Sequence, residues 1–499
     1  MINRLPRSLC LLIGASLSGA GLLVSPARAQ DVALTLEAAD HRLNQVSATI
    51  EGAGHAETAA RETQASVATL RRPIVSVSAQ YLEYQKTLSV DLTATKQAAA
   101  GSAQDLIAGI PDSVPAPYQE IAADIAGRLS QALPGVFASI PDTLSYRYRD
   151  DVFRPTVSAA MPLYTGGAIP AIQRGAAAGV VLAEAQSAQT RDVARVNLIR
   201  VYFGQLTAQS LEQAALETRD ALAKLYDDAR RMEEAGVTPR SVTLEAQVAR
   251  DTAERAYQRA LLAHRSARDE LARVLEVEGV RPTTPLFVLS GALPPVGTFL
   301  GREGDVPQAR QADAARDVAR AGVDVAKSRF RPQAYAFGEY NLNRNSALPT
   351  EPDWVVGVGG RFTLFSNIGR GHALAAARAR EASAAASARE ARKTASIATM
   401  QAWDLAEGAR RSFLLLDSSL AAAQENLRSQ QLAFREGEGT VGAVLRAQAA
   451  LEGARSQRVA AAYEYDLALA ALLVSSGQLD SFPDYLARAD LRVAPEPLP

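Results

Sequence analysis

Glu233-Glu234-Ala235-Gly236-Val237-Thr238-Pro239-Arg240-Ser241 interrupts a stretch, roughly 169–276, that is otherwise dense in Ala, Leu, Arg, Glu and Gln. Such a composition, almost free of breakers, predicts uninterrupted helix on both sides of the turn. Gly236 suits a left-handed residue closing the first helix, and Pro239 suits the first turn of the next. About 65 residues precede the turn, so the first helix would run roughly 100 Å at 1.5 Å per residue. A compact domain has no use for that length. The stretch reads as a helical hairpin that spans something.

The hairpin recurs. Leu244-Glu245-Ala246-Gln247 returns as Leu445-Arg446-Ala447-Gln448, Gly236 returns as Gly437, and Leu163-Tyr164-Thr165 returns as Leu364-Phe365-Ser366, all at an offset of 201. One constant offset across strand end, helix and turn marks an internal duplication, with a period too long for a small solenoid repeat. A second hairpin is therefore expected at about 370–474, turning at Gly437-Glu438-Gly439-Thr440.

Upstream of each hairpin the period changes from helical to two. Val75, Val77, Ala79 and Tyr81 share one face of a predicted strand at about 73–93, with Ser76, Ser78 and Gln80 on the other. A partner at about 149–163 sets Phe153, Val157, Ala159 and Met161 together. The second half repeats the pair at about 332–343 and 353–365, where Trp354, Val356, Val358, Phe362 and Leu364 oppose Gly357, Gly359, Arg361 and Thr363. Four strands are too few to close a barrel, since the smallest membrane barrels use about eight. Several copies would have to pool them.

The halves differ by an insertion of 58 residues, because Arg72-Pro73 and Arg331-Pro332 are offset by 259 instead of 201. It falls at about 85–148, is punctuated by Pro, Gly and Ser, and reads as a large surface loop with one short helix near 118–133. Residues 31–70 read as one helix, repeated by a helix from about Pro307 to Arg329. The expected organisation is a leader at 1–29, a first repeat at 30–278, a linker at 279–306, a second repeat at 307–476 and a loosely held polar tail at 477–499.

Arg4 and Arg7 precede the apolar run Leu9 to Val24, and Ala27-Arg28-Ala29 supplies a small-residue cleavage pattern, the arrangement of a secretory signal peptide. Cys10, the chain's one cysteine, lies inside it, so no disulfide or thiol chemistry is expected of the mature chain. Without the leader, 50 basic residues face 54 acidic ones, a balance that gives no reason to expect nucleic acid. The hydrophobic share is 47% but aromatics are 6%, so much of the apolar content is Ala, which suits closely packed helices. No later run of 18 apolar residues occurs, yet a secreted chain can still cross a membrane as strands.

The signal peptide, the strand-to-helix junctions Met161-Pro162-Leu163-Tyr164-Thr165-Gly166-Gly167 and Phe362-Thr363-Leu364-Phe365-Ser366, and the two turns, in their repeated order, resemble the TolC family of bacterial outer membrane efflux proteins. The resemblance implies a mainly α protein with a β-barrel part, built from a duplicated helix-strand-strand-helix-helix unit. It implies a homotrimer pooling strands into a twelve-stranded outer membrane barrel, set in outer membrane lipid and continuing into a periplasmic α-helical coiled-coil tunnel. The two turns would form the periplasmic tip that meets a membrane fusion (adaptor) protein of an inner-membrane pump or ABC transporter. Carried onto this chain, the contact residues are Gly236, Val237, Thr238, Ser241, Leu244, Gly437, Gly439, Thr440 and Leu445. Where some members ring the aperture with Asp, this chain has Val242, Ala443 and Arg446. Glu245 and Arg446, at equivalent places in the two halves, are the candidate aperture, against the plainer reading of both as solvated helix residues.

Enzyme signals fail. There is no P-loop, HExxH or GxSxG motif, and no catalytic, cofactor-binding or metal-ligating residue is assigned. His41, His55, His264 and His372 lie on separate helical segments without ligand spacing, and all four are expected to be exposed. The function expected is a passive exit duct in efflux or type I secretion, driven by its partner pump. The rival from another class is a secreted coiled-coil scaffold or adhesin without a pore.

Overall fold

A computed structural model describes residues 32–302, 304–343 and 352–494. The expected leader and the turn between the last two predicted strands lie outside the described residues. Two compact units emerge, one gathering residues up to Val67 with Ala171–Val323 and Gly371 onward, the other Ala68–Pro170 with Asp324–Arg370.

The first unit is dominated by four long helices: α5 (Ala168–Glu234), α6 (Arg240–Leu275), α8 (Arg370–Arg435) and α9 (Val441–Ser475). Their buried positions follow heptads. On α8, Ala395, Ala402 and Ala409 fall seven apart, as do Ala406 and Phe413, then Leu427 and Phe434. On α9, Val441, Val444, Gln448 and Leu451 alternate steps of three and four. This is the seam of helices packed as a coiled coil, with alanines permitting close approach. Shorter helices flank them: α1 (Leu36–Val46), α2 (Ala48–Ala68), α7 (Pro307–Ser328) and α10 (Phe482–Arg488).

Three expectations need correcting here. The single helix at 31–70 is two, because Ser47 leaves helical geometry and its Oγ accepts from the Ile50 amide, capping the second. The linker at 279–306 is packed structure. β4 (Val280–Pro282) pairs parallel with β1 (Val32–Leu34), and β5 (Leu286–Val288) pairs antiparallel with β8 (Leu491–Val493). The tail is likewise held, with Phe482 and Tyr485 buried. Leu286, Phe287 and Val288 are fully buried, and Phe287 stands edge-on to both Tyr465 and Phe482. Tyr202 Oη donates to the Leu34 carbonyl at 2.7 Å and accepts from the Thr283 and Thr284 amides, pinning the start of the chain to the middle. Aromatic burial of this kind outweighs the turn chemistry of the surrounding prolines.

The second unit is a four-stranded antiparallel sheet in the order β2 (Ile74–Asp91), β3 (Thr143–Tyr164), β6 (Gln333–Asn341), β7 (Trp354–Arg361). β2 fills the strand expected at about 73–93, so both it and β3 run well past the predicted loop boundaries at 85 and 148, in one ladder from Ile74↔Ala160 to Asp91↔Thr143. What remains of the insertion is two helices, α3 (Thr93–Ala108) and α4 (Gln119–Ala138), not a loop with one. β7 stops at Arg361, short of Phe362 and Leu364. There the carbonyls of Thr363 and Leu364 accept from the Arg370 guanidinium at 2.7 and 2.8 Å instead of entering a ladder.

Candidate functional site

At each helical turn the chain reverses through the same device. Gly236 has φ +74° and Gly437 φ +81°, the left-handed conformation that ends a helix without a Cβ penalty. The Val237 amide donates to Met232 at 2.8 Å, and the Glu438 amide donates to Ala433 at 3.0 Å. The next residue differs between halves. A Cβ on Gly439 would lie 2.8 Å from the Phe434 amide nitrogen, a backbone atom that cannot step aside. Its own amide reaches Ala433 at 2.9 Å, whereas the equivalent Thr238 amide reaches Met232 at 3.3 Å. Thr440 Oγ1 caps the following helix by accepting from the Ala443 amide, a role that Pro239 cannot fill in the first half.

Both hairpins contribute to one core behind the turns. Leu222, Leu225 and Ala246 join Phe434, Val441 and Val444, with Leu445 partly buried against them. Leu244 is exposed, as are Val237, Val248 and Leu432. Ser241 and Thr440 are also exposed. Of the residues assigned from sequence, the structure therefore brings Leu445 into the core and leaves Val237, Ser241 and Leu244 on the surface. Glu245 and Arg446 converge on Gly442: a Cβ there would meet Glu245 Oε1 at 3.3 Å and Arg446 Nη1 at 3.5 Å. Both side chains are exposed.

Sequence reasoning missed the polar ties farther from the turns. Thr218 Oγ1 bonds the Glu452 carboxylate and accepts from Gln448, and Arg455 pairs with Glu217 at 2.6 Å. These join α5 to α9 across the two halves, and no single-helix pattern signals them. His264 departs from its expected exposure, being largely buried against Glu212.

The sheet presents two unlike faces. On one, the register aligns Val75, Val77 and Tyr81 with Ala159, Val157 and Phe153, and Gly338 and Tyr340 with Val356 and Trp354. These side chains are bare: Val77 is 71% exposed, Val356 73% and Val358 72%. On the other face Ser76 bonds Ser158, Ser78 bonds Thr156, and Arg154 pairs with Glu339 at 2.7 Å. Tyr335 and Phe337 lie over Gly359 and Gly357, which have no room for a Cβ. Phe153 to Leu163 spans eleven residues, within the 9–11 that a tilted strand needs to cross a bilayer. No described helix is long and apolar enough to cross one. Among the described residues, the outermost strands, β2 and β7, each have a free edge.

The chain matches the family described as outer membrane efflux protein over residues 134–276 and 305–478. Protein CyaE of Bordetella pertussis is 29% identical over 337 residues, covering 65% of this chain and 70% of the relative. Among solved structures, the outer membrane protein VceC of Vibrio cholerae superposes with a TM-score of 0.68 at 14% identity, covering 89% of this chain and 96% of that one. The CmeC outer membrane channel of Campylobacter jejuni gives 0.68 at 13% identity, covering 91% and 90%.

Proposed function

The chain belongs to the outer membrane efflux protein family, the TolC family of outer membrane channels, and from that premise we propose that three copies form a passive exit duct. Each copy would lend four strands to a twelve-stranded barrel, the free edge of β2 meeting β7 of the next. The observation that carries this is the bare apolar face of the sheet. In water the exposure of Val77, Val356 and Val358 would be a liability, and in lipid it is the expected surface. The Ser76, Thr156 and Arg154 face would then line a polar lumen.

The long helices would stand in the periplasm, and their two turns would receive an adaptor protein. Val237, Leu244 and Val248 offer it apolar contacts that the chain's own core leaves free. An inner-membrane pump or ABC transporter would supply the energy, in efflux or in type I secretion. Glu245 and Arg446, gathered at Gly442, would set the charge of the aperture.

Purified protein reconstituted in planar bilayers tests the reading. It should conduct ions, at least once the turns are loosened by substitution, and it should need detergent for extraction. A protein released by carbonate wash and silent in bilayers under both conditions would instead be a poreless scaffold.

A further inference from the structure

β2 and β3 continue beyond the four-stranded sheet as a pair. β6 joins β3 only from Thr156, while the β2–β3 ladder runs without a register shift to Asp91↔Thr143. Residues 82–91 and 143–152 thus form a two-stranded ribbon. An unbroken pleat carries each face of the sheet into the ribbon. The face that bears Val75, Val77 and Tyr81 in the sheet bears Glu83, Gln85 and Thr87 in the ribbon. The opposite face, with Ser76, Ser78 and Gln80 below, bears Leu82, Leu88 and Val90 above. β3 reverses at the same rung: Tyr81 faces Phe153 as the last apolar pair on one side, and Leu82 faces Val152 as the first on the other.

This inversion locates the ribbon. Were it in lipid, Glu83, Arg149 and Asp151 would enter hydrocarbon, where charged side chains on the lipid face are destabilising. It therefore stands clear of the bilayer. Its apolar face is closed at Val152, 2% exposed, and bare farther along: Leu88 is 51% exposed, Leu144 57% and Tyr146 63%, with α3 and α4 in place. An antiparallel sheet outside lipid ordinarily buries that face against something. Lys86 and Asp150 share the face, and the Tyr148 hydroxyl donates to Asp150.

We propose that the apolar ribbon face is covered by the same face of the other two copies, so that three ribbons close together over the outer mouth of the barrel and narrow it. The proposal rests on the trimeric reading above. If β2 and β7 pair between copies, the face carrying Ser76 and Gln80 looks toward the three-fold axis, and the ribbon face continuing it does so too. Symmetry then presents each apolar surface to its two equivalents. The duct would have a second constriction, at the outer mouth of the barrel, held by apolar contact and opened by outward flow.

Single cysteines test this in the full chain in its membrane, with the unsubstituted protein, whose one cysteine is Cys10, as control. A short bis-maleimide should link Y146C, and independently L88C on the paired strand, into dimers. R147C, on the opposite face, should stay unlinked. The trimer is assayed separately by the mass of the extracted protein. If that mass is trimeric and neither Y146C nor L88C crosslinks, or R147C crosslinks instead, or another protein is captured, the closure is wrong while the duct survives. If the extracted protein is not trimeric, the underlying reading has failed and the closure falls with it.

Discussion

Asp466 is fully buried, one carboxylate oxygen lacks any partner, and the other accepts only a long bond from the Phe287 amide at 3.4 Å. Burial pushes this carboxyl well above the ordinary carboxylate range. A folded-state pKa above the unfolded one gives a contribution that is complete below the unfolded pKa and lost as pH rises toward the folded value. The native protein should therefore lose thermal stability, relative to Asp466→Asn, as pH climbs from about 4. Melting curves of both proteins across pH check this, and parallel curves would contradict it. Glu407 behaves oppositely. Bonds from Arg410 and then Arg411 hold its carboxyl down at about 2, so its ion pair persists until strongly acid pH. Neither site is readable from sequence, because Asp466 and Glu407 sit in helical runs full of charges and only the fold decides which is buried.

Helices and turns are the elements that sequence announces best. Breaker-free composition, abundant alanine and a glycine at each turn are local signals, and the structure places α5, α6, α8 and α9 where those signals stand. The linker and tail escape a local reading because Pro and polar residues frame short apolar runs such as Leu286 to Leu289, whose burial depends on partners some 200 residues away. The insertion reads as a loop because Leu82, Leu88 and Val90 keep period two but on the other face, which looks like loss of pattern when a single face is followed. At the turns, Glu245 and Arg446 both reach Gly442, although they are 201 positions apart. If they line the aperture, Glu245→Lys should move bilayer ion selectivity toward anions and Arg446→Glu toward cations. Reversal potentials in a salt gradient measure this, and no shift in either variant would return both residues to the solvated surface.

At the scale of the whole molecule, the edges of the sheet matter most. A sheet of four strands with two free edges and a bare apolar face is unfinished in one chain, and a barrel shared among copies completes both at once. The expectation of sharing rests on the number of strands alone, whereas the order β2-β3-β6-β7, which leaves β2 and β7 outermost, required the structure. The most direct test is an electron cryo-microscopy map of the protein in lipid nanodiscs. The expected result is three chains around one axis, with β2 of each hydrogen-bonded to β7 of its neighbour. A map in which β2 and β7 of one chain close on each other, or in which the sheet lies buried in a single chain away from lipid, would contradict the account.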